Sequence, residues 1–96
     1  MDIQSLQQKT TPLFQQYGVK KADLFGSTAR GENRPDSDVD ILVQMPEKSR
    51  LFDFLALQTE LEERLSKKVD LVELNEIRPR IKPYILRDLK PLYTQT

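Results

Sequence analysis

Two aspartates, Asp38 and Asp40, stand two residues apart at the head of the run "DVDILV" (Asp38 to Val43), and a Gly-Ser pair, Gly26-Ser27, lies ten residues upstream. On a strand that spacing sends both carboxylates to one face, while Val39, Ile41 and Val43 take the other. Taken alone, Ser-Asp-x-Asp also suits a solvated strand end, and a Gly-Ser step suits a plain turn. The unbroken "DILV" weighs the other way: it sets Asp40 at the mouth of a buried strand, where an uncompensated charge is costly. Two carboxylates this close oppose each other's ionisation. A divalent cation reverses that sign. Magnesium takes oxygen ligands and keeps places for substrate phosphates, so it suits one or two carboxylates plus a nucleotide. A Gly-Ser at a strand end adds a backbone N–H and a hydroxyl with no side chain in the way, which suits a phosphate held by the same cation.

The remaining inventory narrows the chemistry. The chain has no cysteine and no histidine, so thiolate nucleophiles, Cys-type zinc sites and the commonest general base are excluded. Carboxylates, hydroxyls, Lys, Arg and the backbone remain. Fifteen basic and fifteen acidic residues cancel, which argues against a general phosphate-binding footprint, and no direct nucleic-acid contact is expected. "GSTARG" (Gly26 to Gly31) matches half of a P-loop, but Glu32 and Asn33 stand where Lys and Ser/Thr belong, and a glutamate cannot replace a phosphate-cradling lysine. The start "MDIQSLQQKTT" has no basic segment followed by an apolar one, and no apolar run approaches 18 residues. A cytoplasmic protein with no membrane partner is expected.

These residues need a frame to position them. Ninety-six residues fit one domain, taken as 1–96. Ile3, Leu6, Leu13, Phe14 and Tyr17 fall at helical spacing, with Thr11 as N-cap and Pro12 at the first helical position of a second set of turns; Gly18 ends the segment. "VKKADLF" (Val19 to Phe25) reads as a strand, Gly26 to Ser37 as a loop holding at most one helical turn, and Asp38 to Val43 as a second strand. Leu51, Phe54, Leu55, Leu57, Leu61 and Leu65 make a helical stripe with Ser49 as candidate cap. "KKVDLVEL" (Lys67 to Leu74) returns to strand, and a last helix is predicted over Lys82 to Leu89, stopped by Pro91. The fold class is α/β (α+β): a small mixed sheet of about three to four strands with helices mainly on one face.

Gly26-Ser27, ten residues, Asp38-x-Asp40 and a later strand aspartate, Asp70, resemble the polymerase-beta-like nucleotidyltransferases. The closest resemblance is to the minimal nucleotidyltransferases, antitoxin partners of HEPN-domain ribonuclease toxins. It is carried by "LFGS", "ARG", "SDVDILV", "KKVDLVEL" and the tail "RIKPYILRDLKPLY", and covers nearly the whole chain. Thr28 departs from the pattern, standing where a basic or small apolar residue is common.

The resemblance implies the minimal polymerase-beta-like fold and transfer of AMP from ATP to a hydroxyl, often a tyrosine of the toxin, with Mg2+. It implies that Asp38 and Asp40 ligate the cation gripping the phosphates. Asp70 would complete a second metal position and help deprotonate the acceptor. Gly26 and Ser27 would hold the triphosphate, with Arg30 a phosphate or carboxylate partner.

Asp23 sits in a sequence much like that around Asp70, "KKADL" against "KKVDL", but it precedes Gly26 on the incoming strand, where an edge charge accounts for it. Asp70 interrupts "VDLVEL" and is favoured, on position and family pattern together. Tyr17, Tyr84 and Tyr93 are candidate acceptors of self-modification, but in or beside amphipathic helices they are read as core residues with wet hydroxyls. Arg78, Arg80, Lys82, Arg87 and Lys90 form either a solvated face or a docking surface. Two rivals remain: a catalytically silent antitoxin acting by contact, and a small-molecule nucleotidyltransferase, for whose extra helical domain 96 residues leave no room.

Overall fold

Strands form where β-branched and apolar residues run in short stretches, and a computed structural model describing residues 2–32 and 34–96 places them within two residues of the predicted limits. They are β1 (Lys21–Leu24), β2 (Val39–Gln44) and β3 (Val69–Glu73). A fourth, β4 (Lys90–Thr94), occupies the tail, where the sequence reading placed only the end of a helix. The sheet order is β3-β2-β1-β4. β1 runs antiparallel to both β2 and β4, and β2 parallel to β3. The parallel pair needs a long crossover, and α3 (Leu51–Leu65) supplies it with the predicted limits.

The helices required two corrections at their starts. α1 is one helix, Ile3–Gln16, that runs through Pro12; Asp2, not Thr11, is its N-cap, accepting from the Gln4 N–H at 3.4 Å. Leu6, Leu13 and Phe14 bury one continuous stripe on both sides of the proline, while Pro12 itself faces water. Packing therefore holds the helix where local propensity would break it. α3 is capped at Arg50 rather than Ser49, its N–H donating to the Asp53 carboxylate at 2.9 Å. α2 (Gly26–Ala29) is the single helical turn expected after β1, and α4 (Lys82–Leu86) ends three residues short of Leu89.

Alternation along β1 and β2 divides the molecule into two apolar layers. Ala22, Leu24, Ile41 and Val43 join Leu71 against Leu13, Phe14, Leu57 and Leu61 of α1 and α3. On the opposite face Phe25 and Leu42 meet Ile85 of α4, with Val72, Leu74, Ile77 and Leu89 around them. The two long helices thus share one face, and the short C-terminal segment partly covers the other. The Asp-x-Asp face is this second one. No helix among the described residues is long and apolar enough to cross a membrane.

Asp23 is not an edge charge. β1 lies between β2 and β4, and Asp23 is 5% exposed, in register with Leu42 and Pro91. Burial pushes its carboxyl above the ordinary value, and Lys21, whose Nζ lies 3.8 Å away, offsets only part of this. The unfolded chain loses this proton near pH 3.9 while the folded protein keeps it longer, so stability falls as pH rises from there through the raised value. Asp23→Asn removes that loss. Thermal melts should show the variant more stable than the parent at neutral pH, with the gain vanishing below about pH 3.9.

Candidate active site

The β2–β3 register sets Asp40 directly beside Asp70. In a parallel ladder, paired residues project from the same face, so the two carboxylates share one side of the sheet. Asp38 immediately precedes β2, two residues before Asp40 and on the same side. Asp38 and Asp70 are exposed and Asp40 is half-buried. Loss of hydration beside neighbouring protein pushes the Asp70 carboxyl up, and the charges of Asp40 and then Asp38 push it further. The set is thus a local excess of negative charge made only of hard oxygen donors. Among the described residues no group of three carboxylates is gathered closely enough to hold an ion by itself. Hard donors suit magnesium, which accepts one or two protein carboxylates when substrate phosphates complete its shell.

The segment after β1 closes over Asp40. The Phe25 N–H donates to the Asp40 carbonyl at 3.1 Å, so α2 starts where β1 still pairs with β2. Gly26 then adopts φ +58°, and a Cβ built on it would lie 3.1 Å from Asp40 Oδ2. Only glycine combines this conformation with this approach. Ser27 Oγ stands 3.5 Å from the same oxygen, at the outer limit of a hydrogen bond. The Thr28 hydroxyl both donates to Asp40 Oδ2 at 3.1 Å and accepts the Asp40 N–H at 2.9 Å. Thr28 is buried, and nothing in the sequence beyond its place beside Gly-Ser pointed to this contact. Gly26→Ala should cost about 1–2 kcal/mol from the left-handed backbone alone. It should also displace the Asp40 carboxylate, and denaturant melts will show a loss of that size.

Arg30, just beyond α2, is engaged by carboxylates: Nε donates to Glu32 Oε1 at 2.8 Å and Nη1 to Asp88 Oδ2 at 3.1 Å. These partners hold its guanidinium charge more firmly than usual. Arg87 shares Asp88 from 3.4 Å, so this carboxylate ties the turn after α2 to the C-terminal segment. Glu32 is exposed, and Asn33, the other residue that ruled out a P-loop, lies outside the described residues.

The tyrosines differ from one another. The Tyr17 hydroxyl donates to Glu60, and this bond with burial pushes its pKa up to about 12. Tyr93 packs on Phe14 with ring centroids 5.5 Å apart, but Tyr84 is 69% exposed, not a core residue. All five cations of the 78–90 tail, Arg78, Arg80, Lys82, Arg87 and Lys90, are exposed. A groove of about 770 Å3 opens at the other end of β2, between Gln44, Met45, the start of α3 and residues 71–76, and contains none of the three site aspartates.

The chain is similar in sequence and fold to known proteins. The polymerase beta nucleotidyltransferase model matches residues 8–96. Protein adenylyltransferase MntA of Thermococcus cleftensis is 40% identical over 77 residues, 80% of this chain and 78% of that one. A solved structure described as a minimal nucleotidyltransferase is 37% identical with a TM-score of 0.81, covering 96% of this chain and 97% of the other. A tri-AMPylated HEPN toxin of Shewanella oneidensis, solved in complex with an MNT antitoxin, supplies a match of TM-score 0.75 at 22% identity, over 98% of this chain and 74% of that one, a likeness of fold. The mixed four-stranded sheet with two long helices on one face is thus the polymerase-beta-like fold, and the chain belongs to the polymerase beta nucleotidyltransferase family.

Proposed function

We propose that this chain is a protein adenylyltransferase that moves AMP from ATP to a hydroxyl, most simply a tyrosine, of a HEPN-domain toxin, and neutralises it as an antitoxin. One observation carries the reading: the register that sets Asp40 beside Asp70 on the face where Gly26 makes room for the Asp40 carboxylate. The relative named MntA and the AMPylated HEPN complex of the same fold support the acceptor class.

In this reading Asp38 and Asp40 would hold Mg2+ together with the triphosphate, and Asp70 would serve the acceptor side. Bound there, magnesium would neutralise phosphate charge and polarise the reacting oxygens. Gly26 leaves the approach open and Ser27 presents its N–H and hydroxyl to the phosphates. The acceptor oxygen attacks the α-phosphorus and forms the new P–O bond; the bond to the bridging oxygen breaks, and pyrophosphate leaves. Asp70, its carboxyl pushed up by loss of hydration and then by the charges of Asp40 and Asp38, would take the acceptor proton. Arg30, already held by Glu32 and Asp88, acts here as the carboxylate partner that steadies α2 rather than as the phosphate ligand.

The test is incubation of the purified chain with ATP labelled at the α-phosphate, magnesium and a HEPN-domain ribonuclease from the same genome. Label should appear on the HEPN protein, depend on magnesium, and accompany pyrophosphate release and loss of ribonuclease activity. Inhibition of the ribonuclease on mixing without ATP, with no label transferred, would replace this reading with an antitoxin acting by contact.

A further inference from the structure

We infer that Thr28 is a positioning residue for this reaction: its hydroxyl locks the side chain of Asp40 in one orientation, so that the carboxylate meets cation and triphosphate already aimed. The inference rests on the proposed role of Asp40. A hydroxyl has one proton to donate and lone pairs to accept, so a single oxygen can serve the Asp40 carboxylate and the Asp40 N–H together. Thr28 does both, at 3.1 Å and 2.9 Å. The Asp40 carbonyl accepts from Phe25 at 3.1 Å, so three polar groups of this one residue are held by the segment from Phe25 to Thr28.

The contact is built rather than incidental. Thr28 is buried, 8% exposed, and one hydroxyl meets two groups of Asp40 at once. A hydrogen bond to a carboxylate is stronger than one between neutral groups. Outer partners that orient a ligating carboxylate are typically worth about 10- to 100-fold in metal affinity or activity.

The experiment compares the parent with Thr28→Val, which keeps shape and loses the hydroxyl, and Thr28→Ser, which keeps the hydroxyl and loses the methyl. Mn2+ binding is followed by electron paramagnetic resonance with α,β-methylene ATP present, beside thermal melts without metal. Thr28→Val should weaken Mn2+ about 10- to 100-fold, and Thr28→Ser should restore parental affinity. A merely structural threonine would lower the melting temperature and leave Mn2+ affinity unmoved. Parental affinity in Thr28→Val, or a loss in Thr28→Ser equal to that in Thr28→Val, overturns the inference while the metal reading stands. Absence of Mn2+ binding in the parent overturns that reading, and the inference with it. Should Thr28→Val not fold, Thr28→Ala takes its place against Thr28→Ser with the same outcomes.

Discussion

Asp40→Asn is expected to reduce AMP transfer to the HEPN partner by about 10³-fold or more, the scale of losing a metal-based stabilisation worth several kcal/mol. The amide keeps the size of the carboxylate but loses the charge that draws a cation, and it faces Thr28 with no ionic acceptor. The fold should survive, because Asp40 sits beside Asp70, whose carboxyl it pushes up, and removing one charge relieves that repulsion. Without metal the variant should therefore melt at or above the parent. Asp38→Asn should act in the same direction. Transfer assays paired with metal-free melts decide the matter: persistent transfer with a much lower melting temperature would make these carboxylates structural and end the assignment.

Asp70→Asn should cut the transfer rate about 10²- to 10⁴-fold, the usual range for loss of a positioned acid or base, with ATP affinity nearly unchanged. The separation follows from the geometry of in-line displacement. In the proposed mechanism Asp38 and Asp40, together at the start of β2, serve the triphosphate, whereas Asp70, from the neighbouring strand, serves the acceptor. Single-turnover transfer of labelled AMP with saturating partner isolates the chemical step. A second signature should accompany it. Because the folded protein holds the Asp70 proton more firmly than the unfolded chain, stability is lost as pH rises from about 3.9 through the raised value. Asp70→Asn should then melt higher than the parent at neutral pH without metal, and equally below about pH 3.9. Asp23→Asn is the control: it shares the stability signature from its own burial but stands opposite Leu42 and should leave transfer almost untouched. Equal loss of transfer in the two variants, or loss in Asp23→Asn alone, would remove Asp70 from its role.

What the sequence determined by itself is the part governed by local pattern. The limits of α3 follow from a periodic apolar stripe, and the β-branched run in "DVDILV" fixes both a strand and the face its carboxylates share. At Gly26 the sequence showed only a position with no side chain in the way, and the left-handed backbone of φ +58° came from the structure. Pairing and burial were decided only in three dimensions. β4 escaped notice because Pro91 cannot donate within a ladder and reads as a stop; the strand accommodates it at an irregularity opposite Asp23, where β1 shifts register. Asp23 and Asp70 have nearly the same local sequence, and what separates them is strand order, which sets one on a strand between β2 and β4, where it is buried, and leaves the other exposed beside Asp40. α1 runs through Pro12 because its buried stripe outweighs one missing hydrogen bond. The contact between Thr28 and Asp40 spans twelve residues and arises only because α2 folds back over the start of β2. Neither residue's own neighbours encode that approach: hydrogen-bond geometry between distant segments is set by the packing of the sheet that carries them both.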